Sequence, residues 1–378
     1  MLSNQEINRY SRHLSLPDFG IEGQEKLKNA SILVVGAGGL GSPVLLYLAA
    51  AGVGRIGIID DDTVDETNLQ RQVLYGYDDI GRKKVVVAQE RIQSINPHID
   101  VEVHQYRLNC DNAVDLISQY DVVADGSDNF ATRYLVNDAC VLAGKVNVFA
   151  SIFQFEGQVS VLNYPLENGG RSCNYRDIFP EAPKPGEVPN CADGGVLGVL
   201  PGMIGTMQAS EVIKVIAGLG KPLINRIFLF DALNFTSRMV ELASTESQYK
   251  ITELESYDEY CVTHTNKKQK MELKEITVQE LKALQDSGDE FKFIDVREKR
   301  EFDFVNLGAE LIPQATVLSH PDSFDYDGEK VVVHCRSGKR SGDVIMILQQ
   351  KYGYENLYNL KGGILAYARE IDQSLPTY

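Results

Sequence analysis

The first part of the chain alternates short apolar runs with a glycine-rich turn and a helical pattern. Ile32 to Val35 is short enough for a buried strand, and a second apolar run, Val44 to Ala51, follows the turn. Ser42 suits the N-cap of this helix, and Gly52 suits the position just past its end. The run Ile56 to Ile59 predicts the next strand. The segment is therefore predicted as strand, glycine turn, helix and strand.

The alternation continues and predicts a doubly wound sheet. Apolar runs at 101–104, 121–124 and 146–150 indicate further strands, each preceded by a helical pattern. From 154 to 162 apolar and polar residues alternate, which indicates that the sheet turns antiparallel and is mixed. We expect a Rossmann-like α/β fold, in which ligands bind outside the carboxyl ends of the strands.

Three segments are expected to meet at that edge of the sheet, because Gly38, Asp60 and Asp128 each follow a predicted strand. Glycines in the first of these segments lack Cβ atoms, so the backbone can turn sharply and approach a phosphate at a helix N-terminus. An acidic residue 19 positions after the last glycine also fits the dinucleotide fingerprint of a dehydrogenase. The glycines expected to bind the nucleotide are Gly36, Gly38, Gly39 and Gly41.

Polar and cationic residues after the second strand favour a triphosphate over NAD. Asn68, Gln70 and Arg71 lie in a polar loop directly after the acidic strand end, and Lys84 comes at the predicted start of the next helix. A triphosphate carries more charge than the pyrophosphate bridge of NAD and needs more cationic and amide donors. NAD stays open as an alternative at this point.

The length of the chain predicts two domains. Residues 1–242 contain the first α/β pattern, residues 243–271 show no periodicity and predict a linker, and residues 272–378 form a smaller α/β pattern. In this last segment the strand Val331 to His334 leads through Cys335 into a helix.

Cys335 lies at the base of a tight loop that carries three cations. Arg336, Lys339 and Arg340 flank it ahead of a helix N-terminus, which predicts a reactive thiolate. A tyrosine phosphatase would need an arginine six positions after the cysteine, where this chain has Ser341. With Arg340 one position early, the loop is too small for phosphate but suits the terminal sulfur of a persulfide.

Composition excludes some partners and indicates a compartment. The net charge of −16 argues against binding to nucleic acid or to an anionic membrane surface. Six widely spaced cysteines lack the density of a disulfide scaffold, which indicates reduced thiols and a cytoplasmic protein. The polar N-terminus is unlike a signal peptide, and the most apolar stretch is broken by glycines and a proline.

Two sets of motifs resemble known families. The loop from Cys335 to Arg340, with 294–297 upstream and 360–363 downstream, is similar to rhodanese domains. Nearly all of residues 1–242 resembles the MoeB/ThiF/HesA family of adenylating enzymes, which has the ubiquitin-activating-enzyme type of fold. The motifs that carry this second resemblance are 36–41, 60–64, 68–72, Lys84, 125–129 and 195–198.

The resemblance implies a substrate and a reaction. The substrate would be a small ubiquitin-like sulfur carrier with a C-terminal Gly-Gly, whose last glycine is adenylated with ATP. A persulfide on Cys335, loaded by a donor such as a cysteine desulfurase, would then convert it to a thiocarboxylate. Two other classes stay open: an NAD-dependent oxidoreductase, and a regulatory scaffold with an inactive adenylation site.

The resemblance also implies residue roles. Arg71 and Lys84 would offset the charge of the phosphates, and Asp60 would hold the ribose. Asp128 would hold Mg²⁺ or orient the α-phosphate, with Asn129 beside it. Arg12 would reach the nucleotide of the other subunit, which makes the protein a homodimer.

Two further cysteine positions are interpreted through the same family. Cys191 matches the conjugating or resolving cysteine, with burial as a small apolar residue as an equal alternative. The family commonly binds zinc through two Cys-x-x-Cys pairs. Here Cys173 has Arg176 at the position of the next ligand, and the second region offers only Cys261, so we expect no zinc.

Overall fold

The computed structural model describes residues 1–183, 195–242, 247, 249–254, 273–288, 291–319, 321, 326 and 329–377. The chain divides into two compact units, Met1–Cys261 and Val262–Tyr378, and this boundary falls within the predicted linker. Within the described ranges, no helix combines the length and the apolar character needed to cross a membrane.

The first unit is built on one mixed sheet of eight strands. They are β1 (Ser31–Val35), β2 (Arg55–Ile59), β3 (Asp100–His104), β4 (Val122–Asp125), β5 (Val146–Phe153), β6 (Glu156–Leu162), β7 (Arg226–Asp231) and β8 (Thr236–Glu241). The strand order is β3-β2-β1-β4-β5-β6-β7-β8, parallel through β5 and antiparallel beyond it. The order reverses between β1 and β4, which confirms the doubly wound mixed sheet and places its switch point there.

Helices cover both faces of this sheet, because successive residues of β1 point to opposite sides. Ile32 and Val34 belong to one apolar core, and Leu33 and Val35 belong to the other. The helices are α1 (Asn4–Arg9), α2 (Ser11–Leu14), α3 (Gly20–Asn29), α4 (Gly41–Ala51), α5 (Lys84–Ile95), α6 (Ala113–Ser118), α7 (Phe130–Ala143), α8 (Tyr175–Ile178) and α9 (Leu200–Ala217).

The start of α4 differs from the sequence prediction. Leu40, not Ser42, is the N-cap, and the Ser42 hydroxyl donates to the Gly38 carbonyl at 2.7 Å. Leu40 already has helical backbone angles, so the helix begins inside the glycine turn instead of after it. The predicted end is confirmed, since Gly52 follows the helix with a φ of 86°.

The second unit contains a parallel five-stranded sheet. Its strands are β9 (Glu275–Ile276), β10 (Lys292–Asp295), β11 (Glu310–Leu311), β12 (Val331–His334) and β13 (Leu357–Leu360), in the order β11-β10-β12-β13-β9. Its helices are α10 (Val278–Ser287), α11 (Lys299–Phe304), α12 (Gln314–Ser319), α13 (Lys339–Tyr352) and α14 (Gly363–Glu370). The central strand β12 therefore leads directly to the cysteine loop.

Part of the predicted linker binds the first unit. The Ser247 N–H donates to the Arg171 carbonyl at 3.1 Å, and the Ser247 hydroxyl accepts from the Asn174 amide at 2.7 Å. The Tyr249 N–H donates to the Asp177 carboxylate at 3.0 Å. These contacts fix residues 247 and 249 against the segment that leads into α8.

Candidate functional site

The glycine turn between β1 and α4 leaves little room for a side chain at Gly36 or Gly41. Gly36 has a φ of 87°, and a Cβ there would lie 3.1 Å from the Gly126 carbonyl oxygen. A Cβ on Gly41 would overlap the Gly36 carbonyl. Gly39 lies against Pro201 and the aliphatic stem of Arg71. The turn is therefore packed on the 125–129 loop and the 68–72 loop, as a nucleotide site at the switch point requires.

Asp60 connects the end of β2 to the glycine turn. One carboxylate oxygen accepts the Ala37 N–H and the other accepts the Asp62 N–H, each at 2.8 Å. Burial raises the pKa of Asp60, while the positive charge of Lys84 and the two backbone hydrogen bonds oppose that shift. A carboxylate offers about four acceptor positions, so these contacts leave capacity for ribose hydroxyls.

Lys84 is a buried cation at a helix N-terminus, a position that is unfavourable for the stability of the fold. It is the first residue of α5, where the helix dipole disfavours a cation, and its side chain is only 5% exposed. Its ammonium pairs with the Asp62 carboxylate at 2.9 Å. A buried cation at a helix N-terminus beside a glycine turn suits an anionic ligand.

The 68–72 loop contains three of the residues predicted to bind the nucleotide. Asn68 closes a short 3-10 helix, where its side-chain oxygen accepts the Asp65 N–H at 3.3 Å. The Arg71 guanidinium donates to the Thr67 carbonyl at 2.8 Å. Gln70 packs against Gly198, where a Cβ would overlap it. The loop is thus held at both ends beside the glycine turn.

Two residues in this region were missed by the sequence analysis. The Tyr75 hydroxyl donates to the Ala37 carbonyl at 2.7 Å, and Tyr75 is buried. Gln72 is 4% exposed, its amide nitrogen lies near Gly38, and its oxygen has no hydrogen-bond partner among the described residues. Gln72 belongs to the quoted 68–72 motif, but its burial has no local sequence signal.

Asp128 and Asn129 follow β4 on the other side of the switch point. Asp128 is exposed, and the Asn129 amide donates to it at 3.3 Å. The Asn129 oxygen caps α7 by accepting the Thr132 N–H at 2.9 Å. An exposed carboxylate at this edge of the sheet fits Mg²⁺ as an oxygen ligand.

Arg12 lies on α2, which follows Tyr10 near the end of α4 that is far from the glycine turn. It is exposed on α2, and the nearby Tyr10 ring packs against Gly52 at the far end of α4. The Tyr10 hydroxyl also accepts the Asn96 amide at 2.8 Å. With 11 residues, α4 separates this corner from the turn by about 16 Å along the helix axis.

In the second unit, Cys335 follows β12 and is 1% exposed. The loop ends at Gly338, which has a φ of 87° and would carry a Cβ 3.0 Å from the Leu360 carbonyl oxygen. The Cys335 carbonyl accepts the Ile364 N–H at 3.0 Å. The turn between β13 and α14 therefore packs against the cysteine loop.

The polar groups around Cys335 differ from the predicted cradle. Both terminal nitrogens of the Arg340 guanidinium donate to Glu301 on α11, at 2.8 and 2.7 Å. The Ser341 hydroxyl lies 3.5 Å from the Cys335 Sγ. Ser341 also lies 2.6 Å from the Asn359 side-chain oxygen.

A buried charged group lies behind this loop. Arg297 makes three contacts of 2.6–3.0 Å with the Asp295 carboxylate, and both are fully buried. Burial lowers the pKa of His334 to about 4, so this imidazole is neutral at neutral pH. Its Nε2 lies 3.6 Å from Asp295.

The residues present do not fit a four-cysteine zinc site. Cys173 is buried, and burial raises its pKa to about 11. Arg176, at the position of the next ligand, donates to the Asp138 carboxylate through Nε and one terminal nitrogen at 2.7–3.0 Å. Cys191 and Cys261 lie outside the described residues.

Comparisons with known proteins cover both units. The model of the ThiF family matches residues 10–251, and the model of the rhodanese-like domain matches residues 277–370. The chain is 47% identical over 380 residues to the "Probable adenylyltransferase/sulfurtransferase MoeZ" of Mycobacterium tuberculosis, which covers 100% of this chain and 96% of that protein.

Two more likenesses concern the first unit. The chain is 52% identical over 236 residues to the "Sulfur carrier protein adenylyltransferase" of Thermus thermophilus, covering 62% of this chain and 87% of that protein. The crystal structure of E. coli MccB with MccA-N7isoASN aligns with a TM-score of 0.56 at 25% identity, covering 64% of this chain and 73% of that one.

Proposed function

The chain belongs to the ThiF family and carries a rhodanese-like domain, and from this premise we propose that it activates and then sulfurates a small carrier protein. It is an adenylyltransferase with sulfurtransferase activity, acting on the C-terminal glycine of a ubiquitin-like sulfur carrier. The observation that carries the proposal is the full-length match to an adenylyltransferase/sulfurtransferase. An NAD-dependent oxidoreductase or an inactive scaffold is not favoured by these relatives.

The first unit supplies the adenylation. A carrier carboxylate oxygen attacks the α-phosphorus of ATP, the bond to the β-phosphate oxygen breaks, and pyrophosphate leaves. Lys84 and Arg71 offset the negative charge that two anions bring together, and they cost little reorganisation because both are already held beside the glycine turn. Asp60 binds the ribose hydroxyls. Mg²⁺ held by Asp128 would offset charge on the leaving phosphates.

The second unit supplies the sulfur. The terminal sulfur of a Cys335 persulfide attacks the carbonyl carbon of the acyl adenylate, and AMP leaves. The product is an acyl disulfide between the carrier and Cys335. A Cys191 thiolate then attacks the Cys335 sulfur, which releases the thiocarboxylate and leaves a disulfide between Cys191 and Cys335. Two thiols from an external reductant restore both cysteines.

A homodimer accounts for the position of Arg12. Its side chain is exposed, and Tyr10, two positions before it, packs against Gly52 at the end of α4 far from the glycine turn, which supports a contact with the nucleotide of a second copy of the chain. We therefore assign Arg12 to the partner's adenylation site.

The remaining assignments follow from chemistry. The donor that loads Cys335 is a persulfide carrier such as a cysteine desulfurase. The protein works in the cytoplasm, because persulfide chemistry needs cysteines that stay reduced. We expect no structural zinc, because Arg176, which pairs with Asp138, stands at the position of the second cysteine of the first Cys-x-x-Cys pair.

Two cysteine variants test the proposal. ATP–pyrophosphate exchange dependent on the carrier should survive both Cys335→Ser and Cys191→Ser, because neither thiol acts in adenylation. Thiocarboxylate formation from a persulfide donor should be lost with Cys335→Ser. Intact thiocarboxylate formation by Cys335→Ser would refute the rhodanese role, and absence of exchange in the wild type would refute the adenylation role.

A further inference from the structure

Two polar side chains are buried directly behind the reactive sulfur of the second unit. Ser341 is fully buried and Asn359 is 3% exposed, beside the apolar cluster that contains Cys335, Val331 and Val333. Burying a hydroxyl and an amide is costly unless their hydrogen bonds are made. The buried hydroxyl and amide therefore need partners, and the hydroxyl lies within hydrogen-bond distance of both the Asn359 oxygen and the Cys335 sulfur.

The three groups form a short line from sheet to sulfur. The Asn359 side-chain oxygen lies 2.6 Å from the Ser341 hydroxyl, which lies 3.5 Å from the Cys335 Sγ. Asn359 belongs to β13, which pairs with β12, and its N–H donates to the Lys274 carbonyl at 2.8 Å. Ser341 lies in the first turn of α13. Both side chains are therefore held by rigid elements.

One hydroxyl has one proton, so this line has two hydrogen-bonded forms. When the sulfur is a thiol, its S–H donates to Ser341, and the Ser341 O–H donates to the Asn359 oxygen. When the sulfur is a thiolate, the Ser341 O–H turns to the sulfur, and the Asn359 amide turns its N–H₂ towards the hydroxyl. The glycines Gly338 and Gly342 border that amide, with Cβ positions 3.6 and 3.5 Å from its nitrogen.

We propose that Ser341 donates a hydrogen bond to the Cys335 thiolate and that Asn359 is the positioning residue that orients this hydroxyl. The pair thereby increases the fraction of Cys335 that is ready to attack a persulfide donor. In that step the Cys335 thiolate bonds to the outer sulfur of the donor persulfide, and the donor thiolate leaves. The inference rests on the proposed role of Cys335 as sulfur acceptor.

Several other charged or titratable groups lie on the elements that border the sulfur. His334 is neutral above about pH 4 and so does not titrate in the range in which cysteines do. Arg340 is engaged by Glu301, and Arg297 is engaged by Asp295. Arg336 is half-buried on the loop, Lys339 is exposed at the first position of α13, and Lys361, on the turn after β13, pairs with Glu275.

The test is the pH profile of Cys335 alkylation by iodoacetamide in the full chain, followed by mass spectrometry of the peptide that contains Cys335. Loss of one hydrogen bond to a charged group in Ser341→Ala should raise the midpoint of the profile by about one pH unit. A more basic thiolate is also intrinsically more nucleophilic, by roughly threefold per unit. The variant should therefore react about threefold more slowly near neutral pH and about threefold faster at the alkaline plateau.

Crossing of the two profiles separates this role from a structural one. A loosened loop would scale the rate in one direction at every pH, and this result, like an unchanged profile, would overturn the proposal. Ser337→Ala is the matched control, because Ser337 is exposed on the same loop, and its profile should overlay the wild type. Alkylation needs neither ATP nor carrier, so its outcome is independent of the proposed overall reaction.

Two further variants keep the test decisive if Ser341→Ala fails to fold. Ser341→Thr retains the hydroxyl and should keep the wild-type midpoint. Asn359→Ala removes only the orienting group and should move the midpoint in the same direction by a smaller amount. An Asn359→Ala profile identical to that of the wild type would refute the orienting role.

Discussion

The Ala37 N–H donates to the Asp60 carboxylate at 2.8 Å, which joins the glycine turn to the end of the neighbouring strand. The second carboxylate oxygen accepts the Asp62 N–H at the same distance. Two N–H donors therefore converge on one side chain that has only acceptors. The turn that approaches the nucleotide is held in shape by the residue proposed to bind its ribose.

Asp60→Asn should weaken ATP binding through this contact. The amide of this variant would place its N–H₂ group against one of the two backbone N–H donors. That donor would lose its acceptor, and the glycine turn would be held less firmly. We expect the KM for ATP in pyrophosphate exchange to rise about tenfold or more, as the loss of one charged hydrogen bond implies. Asp61→Asn is the control, because Asp61 is exposed beside it, and its KM should stay within about twofold.

Local patterns made much of the first site predictable. The residues Gly36 to Gly41 and Asp60 lie within one strand–turn–helix–strand segment, so their spacing alone indicates their approach. The contact between the Tyr75 hydroxyl and the Ala37 carbonyl spans 38 positions and depends on how a loop folds back. No periodicity in the sequence reports such a contact.

The second site shows the same limit. The strand, the cysteine and the helix were predictable because they are consecutive, as Val331 to Lys339 show. The pairing of Arg340 with Glu301 spans 39 positions, and that of Ser341 with Asn359 spans 18. Both depend on the order of strands in a parallel sheet, which sequence pattern does not specify.

Mixing two inactive variants tests whether Arg12 acts across subunits. Arg12→Ala and Lys84→Ala homodimers should each lose most of their exchange activity, because each lacks one charge at both sites. If subunits exchange at random, half of the dimers are mixed and have one intact site, so about a quarter of the wild-type activity should return. Failure of the mixture to exceed its parents, with exchange verified by mass, would contradict the assignment. Arg9→Ala, in the same N-terminal arm, should remain active.

Arg176 should be essential for the stability of the first unit. Arg176→Met leaves the Asp138 charge buried without this partner, which costs about 3–5 kcal/mol in the free energy of urea unfolding. The double variant with Asp138→Leu should recover most of that loss, because it removes both charges. Arg91→Met is the matched control, since Asp79 keeps Arg82 as a partner, and it should cost less than about 1 kcal/mol.

Urea unfolding with a chelator, together with metal analysis, tests the expected absence of zinc. If the Arg176–Asp138 pair replaces the metal, a chelator should leave the urea midpoint of the wild-type chain unchanged, and metal analysis should give no stoichiometric zinc. About one zinc per chain, lost together with stability on chelation, would contradict this replacement.

His334 should make the second unit sensitive to mild acid. Burial lowers its pKa from 6.5 to about 4, so the unfolded chain binds the proton more readily than the folded one. The free energy of unfolding therefore has its full value above about pH 6.5, where His is neutral in both states. It falls as the pH drops towards 4, and the loss at pH 5 is about 2 kcal/mol. Urea unfolding at each pH, read by hydrogen exchange in the peptide that contains β12, measures this loss of stability.

Two histidine variants are the controls. His334→Phe should flatten the pH dependence of the free energy of unfolding between pH 5 and 7, and His98→Asn, at an exposed position, should not. If the free energy of unfolding falls with pH equally steeply in His334→Phe and in the wild type, other groups cause the acid sensitivity.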